Sequence, residues 1–74
     1  MTKEEFLEEM REVLQRDDQL AWDMPLEDIE EWDSLALMGT AAFLNHAFSV
    51  RVGMDDFRAM KTVADIGRAA GLAE

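Results

Sequence analysis

The spacing of apolar residues along this chain predicts helices and no strands. Only 74 residues are available, and a domain of this size hides about 60% of its unfolded surface. The sequence has no cysteine, so neither disulfides nor a cysteine-based metal site holds the fold together. We therefore expect residues 1–74 to form a single all-α domain with a small core and no deep catalytic cleft.

The first helix has a recognisable start and a recognisable apolar face. Thr2 and Glu5 have the spacing of a capping box, so the helix should begin there. It should end near Arg16, because the polar residues 17–19 break the helical pattern. The face that points to the core should consist of Phe6, Leu7, Met10, Val13 and Leu14.

Residues 17–33 form a long first loop, and loops above about 12 residues are uncommon in compact domains and often functional. Pro25 is well placed to begin one short helical turn, from Leu26 to Glu31. Apolar residues occur along the whole loop, so we expect it to pack on the helices through Leu20, Trp22, Met24, Leu26, Ile29 and Trp32.

The second long helix should begin at Asp33, whose carboxylate can accept the free amides of the first turn. Gly39 costs this helix about 1 kcal/mol relative to alanine, which predicts a close approach by another part of the molecule. Four residues spaced four, three and four apart predict one buried stripe, formed by Leu37, Ala41, Leu44 and Phe48. A neighbouring apolar stripe, which the core does not need, consists of Leu35, Met38 and Ala42.

The remaining sequence predicts an extended link at 49–53, a short helix at 55–60 and a longer last helix. Thr62 and Asp65 repeat the capping-box spacing at the start of that helix, and Gly71 suits its end. The residues expected to point inward are Val50, Val52, Phe57, Met60, Val63, Ile66 and Ala70. The overall prediction is a four-helix bundle, with three longer helices, one short helix and a long first loop.

The charge is large and unevenly distributed. Residues 1–33 hold 13 acidic and 3 basic side chains, whereas residues 34–74 hold 4 of each, which together make the 17 acids and 7 bases of the chain. Such a surface repels nucleic acid and anionic lipid, and it attracts basic surfaces of partner proteins toward this protein. The alternative is that these acids are simply a solvated face.

No stretch approaches the roughly 20 apolar residues of a membrane span, and the first residues lack the features of a signal peptide. We therefore expect a soluble cytoplasmic protein.

The segment Trp32-Asp33-Ser34-Leu35 places a serine one step inside a helix start. Its Asp-Ser-Leu core resembles the phosphopantetheine attachment site of acyl carrier proteins. Acyl and peptidyl carrier proteins are four-helix bundles of about this size, with a long first loop and the modified serine at the start of helix II. The resemblance covers nearly the whole chain. Phe48 matches the phenylalanine that closes helix II of the family, and Thr62-Val63 matches the Thr-Val pair that opens helix IV. The combination of Trp32-Asp33-Ser34-Leu35 with Lys61-Thr62-Val63 looks more like the specialised stand-alone carriers than the housekeeping fatty-acid carrier.

The resemblance implies a function for Ser34. A phosphopantetheinyl transferase would use coenzyme A to join 4′-phosphopantetheine to the Ser34 hydroxyl. The neighbouring residues Asp33 and Leu35 would complete the cofactor-binding site. The arm would hold acyl or aminoacyl groups as thioesters, supplied by a loading ligase and used by synthase or transferase enzymes. The protein itself would be a monomeric carrier and not an enzyme. An anion at a helix start is stabilised by free amides and the helix dipole.

One departure from the family concerns docking. Helix II of the fatty-acid carriers is rich in glutamates, whereas residues 34–48 contain no acidic side chain. We therefore expect partner enzymes to contact this helix through apolar residues, while the acidic loop steers their approach. The expected docking residues are Leu35, Met38, Ala42 and Trp32. Trp32 is included because it adjoins the modified serine, and the alternative for it is a loop anchor that packs on the bundle. Methionines are expected mainly as core filler, with a cavity for an acyl chain as the alternative role of Met10, Met38 and Met60.

Other chemistry fits the sequence poorly. Ser34 and the only histidine, His46, are twelve residues apart on one helix, about 18 Å at 1.5 Å per residue, too far for a Ser–His pair. The pairs Asp17-Asp18 and Asp55-Asp56 lack the spacing of a calcium loop, so no metal site is expected. The remaining alternative is an unmodified acidic helical adaptor or inhibitor that docks on a basic protein.

Overall fold

A computed structural model describes residues 1–72 of the chain as four helices. They are α1 (Lys3–Leu14), α2 (Ser34–Phe48), α3 (Met54–Ala59) and α4 (Val63–Ala69). No strand occurs within this part of the chain, and none of its helices combines the length and apolarity needed to cross a bilayer. The predicted all-α architecture, with three longer helices and a short one, is confirmed.

The starts of the helices follow the capping signals of the sequence. Thr2 and Glu5 form the expected capping box, with the Glu5 N–H donating to Thr2 Oγ1 over 3.1 Å and the Thr2 N–H to Glu5 Oε1 over 2.9 Å. Thr62 and Asp65 do the same at α4. At α3, the Gly53 N–H donates to Asp56 Oδ2 over 2.9 Å, so the helix begins one residue earlier than predicted.

The end of α1 is a small correction. The helix stops at Leu14 and not near Arg16, because Gln15 adopts a left-handed conformation with φ 55°. The N–H of Arg16 then donates to the carbonyl of Arg11, which closes the last turn. The loop accordingly begins two residues earlier than expected.

Phe6 of α1 lies at the centre of the core and is fully buried. Its ring centroid lies 6.2 Å from that of Phe43, 6.4 Å from Phe48 and 6.1 Å from Trp22. Helices α1 and α2 and the first loop therefore meet at one aromatic cluster. The other buried hydrophobic residues are Met10, Leu14, Leu20, Leu26, Ile29, Ala36, Leu44, Phe57, Val63, Ala64 and Ile66.

The buried face of α2 differs from the predicted stripe. The buried residues are Ala36, Thr40 and Leu44, whereas Leu37, Ala41 and Phe48 are half-buried. Residues 34–48 are apolar on almost every side, so periodicity alone did not separate the inner face from its neighbours. The exposed position of the second stripe, formed by Leu35, Met38 and Ala42, is as expected.

The close contact that was predicted for Gly39 occurs instead at another glycine, Gly67. A Cβ at Gly39 would lie 3.4 Å from Val13 Cγ1, which is ordinary van der Waals contact. At Gly67 of α4, in contrast, a Cβ would lie 2.5 Å from Trp22 Cζ3, closer than atoms can pack. The glycine that the packing requires is therefore Gly67.

The first loop is held to the body of the protein at its middle. Pro25 and Thr62 form an isolated antiparallel bridge, in which the Leu26 N–H donates to the Lys61 carbonyl over 2.8 Å and the Val63 N–H to the Met24 carbonyl over 3.0 Å. The helical turn after Pro25 covers only Leu26–Asp28, shorter than predicted, because the backbone becomes extended at residue 29. All six apolar residues expected to anchor the loop are buried or pack on the core.

Candidate attachment site

Ser34 is the first residue of α2 and is exposed to solvent. The preceding residue, Asp33, is the N-cap, and its Oδ1 accepts the N–H of Ala36 over 2.9 Å. The carbonyl of Asp33 accepts the N–H of Leu37 over 2.9 Å. The predicted cap is confirmed, and it fixes the backbone on both sides of the serine while leaving its hydroxyl accessible.

The first turn of α2 retains two backbone amides for an anion. Within residues 1–72, the N–H groups of Ser34 and Leu35 donate no hydrogen bond, since the carboxylate of Asp33 accepts only the N–H of Ala36. Free amides and the helix dipole both favour negative charge at this end of a helix. A phosphodiester on the Ser34 hydroxyl would fit these donors.

The acidic loop before the serine is partly neutralised. Arg16 Nη1 donates to Glu31 Oε1 over 2.8 Å, and this hydrogen bond lowers the pKa of the Glu31 carboxyl. The bond also ties the end of α1 to the residues just before Trp32. The segment that leads into Ser34 is therefore held at two points, by this ion pair and by the bridge at Pro25.

Three of the four predicted docking residues share one exposed face of α2. Leu35 is 77% exposed and Met38 is 64% exposed, and Ala42 is exposed further along the same side of the helix. Trp32 differs, because it is half-buried and its ring meets Phe57 edge-on, with centroids 5.9 Å apart. Trp32 is thus a loop anchor next to the serine and lies apart from the apolar face.

A cavity of about 690 Å³ opens beside the start of α2, between the first loop and α3. Trp32 and Leu37, two residues before and three after the serine, both contribute to its wall. Of the methionines considered for a cavity, Met60 lines it, whereas Met10 is buried in the core and Met38 is exposed. Its other walls come from Pro25, Leu26, Glu27, Phe57, Arg58, Lys61 and Thr62.

The sequence reasoning missed the two cations of this cavity, Arg58 and Lys61. The only sequence signal was the concentration of four bases in residues 51–68, which balance the charge of the second half of the chain. That pattern does not predict that Arg58 and Lys61 line the same cavity as Trp32, because this depends on how the fold brings the end of α3 beside the loop.

Within residues 1–72, the structure places no histidine close to Ser34. His46 lies twelve residues along α2, about 18 Å away by the rise of the helix, and a serine needs its base at about 3 Å. Within residues 1–72, no three His, Cys, Asp or Glu side chains come together as they would around a metal ion. The geometry at Ser34 instead suits a hydroxyl that another enzyme modifies.

The comparison with known protein families agrees with this geometry. The family model described as "Phosphopantetheine attachment site" matches residues 4–70, almost the whole chain. The chain therefore belongs to the phosphopantetheine-binding carrier protein family, whose covalent cofactor is 4′-phosphopantetheine, typically on a serine. No curated protein and no solved structure matches the chain significantly.

Proposed function

We propose that the protein is a single-domain, non-catalytic carrier, and that it holds acyl or aminoacyl groups as thioesters on 4′-phosphopantetheine attached to Ser34. The observation that carries the proposal is the exposed hydroxyl of Ser34 at the first position of α2, directly after its N-cap Asp33. A long flexible arm attached there would reach into the active sites of separate enzymes. The partners are a phosphopantetheinyl transferase, a loading ligase and the synthase or transferase that uses the cargo.

The attachment step is a phosphoryl transfer. The Ser34 oxygen forms a bond to the phosphorus next to pantetheine in coenzyme A, the bond between the two phosphates breaks, and 3′,5′-ADP leaves. The proton of the hydroxyl passes to the transferase. The thiol of the arm supplies the sulfur of the thioester, because the chain has no cysteine.

The residues around Ser34 position the arm. Asp33 holds the first turn in helical geometry by capping Ala36, and the amides of Ser34 and Leu35, which have no acceptor within residues 1–72, would be available to the new phosphodiester. Each such amide stabilises a negative charge at the helix start. Asp33 is therefore a positioning residue, and replacing it would loosen the turn without removing the hydroxyl.

The exposed apolar face of α2 supplies the docking surface of the proposed carrier. Leu35, Met38 and Ala42 follow Ser34 along one side of the helix, so an enzyme that takes the arm would cover them. Residues 34–48 contain no acid, which favours apolar contact over charge pairing at this helix. The 13 acids of residues 1–33 would act at longer range, by steering a basic enzyme surface toward the protein.

Intact mass after modification tests the proposal. Incubation of the purified protein with coenzyme A, Mg²⁺ and a broad-specificity phosphopantetheinyl transferase should add one phosphopantetheine. The chain has only two serines, Ser34 and Ser49, which gives a matched pair of variants: Ser34→Ala should abolish the addition and Ser49→Ala should leave it intact.

Two results would contradict the proposal. Modification that survives in Ser34→Ala would place the arm elsewhere. No addition to the wild type, under conditions that convert a control carrier, would leave the unmodified acidic adaptor as the better interpretation.

A further inference from the structure

The exposed apolar face of α2 ends in a groove. Asn45 lies three residues beyond Ala42 and continues the stripe toward the C-terminal end of the helix. There, a groove of about 460 Å³ opens between α2 and the link to α3. The groove is lined by Ala41, Ala42, Asn45, Arg51, Val52 and Gly53.

Arg51 differs from the other arginines of the chain. It is exposed, and within residues 1–72 it makes no ion pair and no side-chain hydrogen bond. The other four arginines each pair with a carboxylate: Arg11 with Glu8, Arg16 with Glu31, Arg58 with Asp55, and Arg68 with Asp65. In a chain with 17 acids, the arginine left without a partner is the one at the end of the docking face.

The acids nearest to Arg51 in sequence are already engaged. Asp55 pairs with Arg58, and Asp56 accepts the N–H of Gly53. Helix α2 itself carries no acid. The groove therefore presents the Arg51 guanidinium, which has no carboxylate partner within residues 1–72, beside the small side chains of α2, while the nearby Asp56 carboxylate is held by the Gly53 N–H.

We infer that this groove binds an Asp or Glu side chain of the enzyme that loads the carrier, with an apolar enzyme side chain against Ala42. A guanidinium presents planar, paired donors that match a carboxylate, and the small residues of the groove leave room for it. The inference rests on the proposed carrier function. It gives the docking enzyme a mixed surface, apolar and acidic, where it meets α2, instead of a basic patch.

Arg51 also lies two residues beyond Ser49, the C-cap of α2, where a cation interacts favourably with the helix dipole. That role concerns the stability of the helix and not the enzyme. The test therefore records thermal stability and loading kinetics on the same protein samples.

The probe is a purified ligase that has been shown by intact mass to load the phosphopantetheinylated protein. Arg51→Glu should lower the kcat/KM of loading by about tenfold, equivalent to about 1.4 kcal/mol. The matched control is Arg68→Glu, which makes the same change in charge on α4, away from the groove. Arg51→Gln should give a smaller loss of severalfold, and it keeps the test valid if Arg51→Glu fails to fold. An Asp or Glu to Arg change on the ligase surface should restore loading of Arg51→Glu.

The sign of the effect decides the question. If the ligase presents a basic patch to this groove, Arg51→Glu replaces a repulsion by an attraction and loading becomes faster, which overturns the inference. Equal rates for Arg51→Glu and Arg68→Glu also overturn it, as does a loss of loading that follows only the loss of helix stability. Self-association of the wild type that Arg51→Glu abolishes would show that the groove takes a second copy of this chain. Failure of the transferase to modify Ser34 at all is a separate result, and it contradicts the proposed function itself.

Discussion

The indole ring of Trp22 occupies the space in which a side chain at Gly67 would begin. A Cβ at this glycine would lie 2.5 Å from Trp22 Cζ3 and 3.4 Å from Phe6 Cε2. The same indole meets Phe6 edge-on and receives the ammonium of Lys3 over its ring, 5.3 Å from the centroid. One residue of the first loop thus connects α1 to α4, and the absence of a side chain in α4 makes the contact possible.

Gly67→Ala should destabilise the protein by about 1 to 3 kcal/mol, because the added methyl group forces the indole out of its place. Gly39→Ala is the matched control, since Val13 leaves room for a Cβ there. That variant should be neutral or more stable by up to about 1 kcal/mol through higher helix propensity. Urea denaturation followed by circular dichroism measures both, and equal effects of the two changes would contradict the packing described for Trp22.

Thr40→Val should stabilise the protein. Thr40 is fully buried in α2, and its Oγ1 has no hydrogen-bond partner within the described residues. Removing a buried hydroxyl without a partner recovers its desolvation cost, about 1 to 2 kcal/mol. Thr62→Val makes the same chemical change at a hydroxyl that caps α4, and it should cost about 1 kcal/mol. Opposite shifts in melting temperature are expected, and a destabilised Thr40→Val would mean that this hydroxyl has a partner in solution.

Met38→Ala should separate docking from folding. Because Met38 is 64% exposed, its truncation should change the free energy of unfolding by well under 1 kcal/mol. Loading or transfer by partner enzymes should fall severalfold, since it removes apolar contact next to the proposed arm.

Leu44→Ala, on the buried face of the same helix, is the control for Met38→Ala. Leu44 is fully buried, and its truncation should cost about 2 to 5 kcal/mol of stability. The stability and the loading rate of each variant are measured together. If Met38→Ala alters neither quantity, the docking surface lies elsewhere, with the acidic loop the next region to test.

The contribution of Asp65 to stability should depend on pH. Its carboxylate accepts the N–H groups of Lys61 and Thr62 over 2.8 and 3.0 Å, and these bonds, with a smaller effect of Arg68, lower its pKa below the ordinary value of 3.8. A carboxyl whose pKa is lowered by folding stabilises the folded state above its unfolded pKa, and the effect is lost as the pH falls through the folded pKa.

Asp65→Ala should therefore be less stable than the wild type by a constant amount between about pH 5 and 7. The difference should shrink only below pH 3.8. Asp55→Ala is the control, because Asp55 is exposed and pairs only with the exposed Arg58, a kind of pair that contributes little to stability. Thermal melts across this pH range check the prediction, and a difference that is the same at pH 2.5 and pH 7 would refute it.

Much of the fold could be predicted because the helix starts are encoded locally. Thr2 with Glu5, Thr62 with Asp65, and Asp33 alone each satisfy backbone amides within four residues, so their effect does not depend on the rest of the chain. The position of Ser34 followed from the same logic, since its neighbour is the cap.

The features that could not be predicted depend on contacts between distant segments. The sequence does not distinguish Gly67 from Gly39, because the difference is the position of Trp22, 45 residues before Gly67. The sequence also does not predict that Thr40 is buried, because a polar residue in an apolar helix is expected on the exposed side. The bridge between Pro25 and Thr62 forms only once the loop has folded onto the start of α4. The same holds for the cavity that Arg58 and Lys61 line together with Trp32.

The separation of α2 into an inner and an outer face has an evolutionary consequence. The inner residues Ala36 and Leu44 are tied to the core, whereas Leu35 and Met38 touch little of the protein itself. With the proposed docking surface on the outer face, single substitutions there would change the partner enzyme at little cost in folding stability. An engineer who redirects it to a foreign ligase would vary the same outer positions and keep the inner ones unchanged.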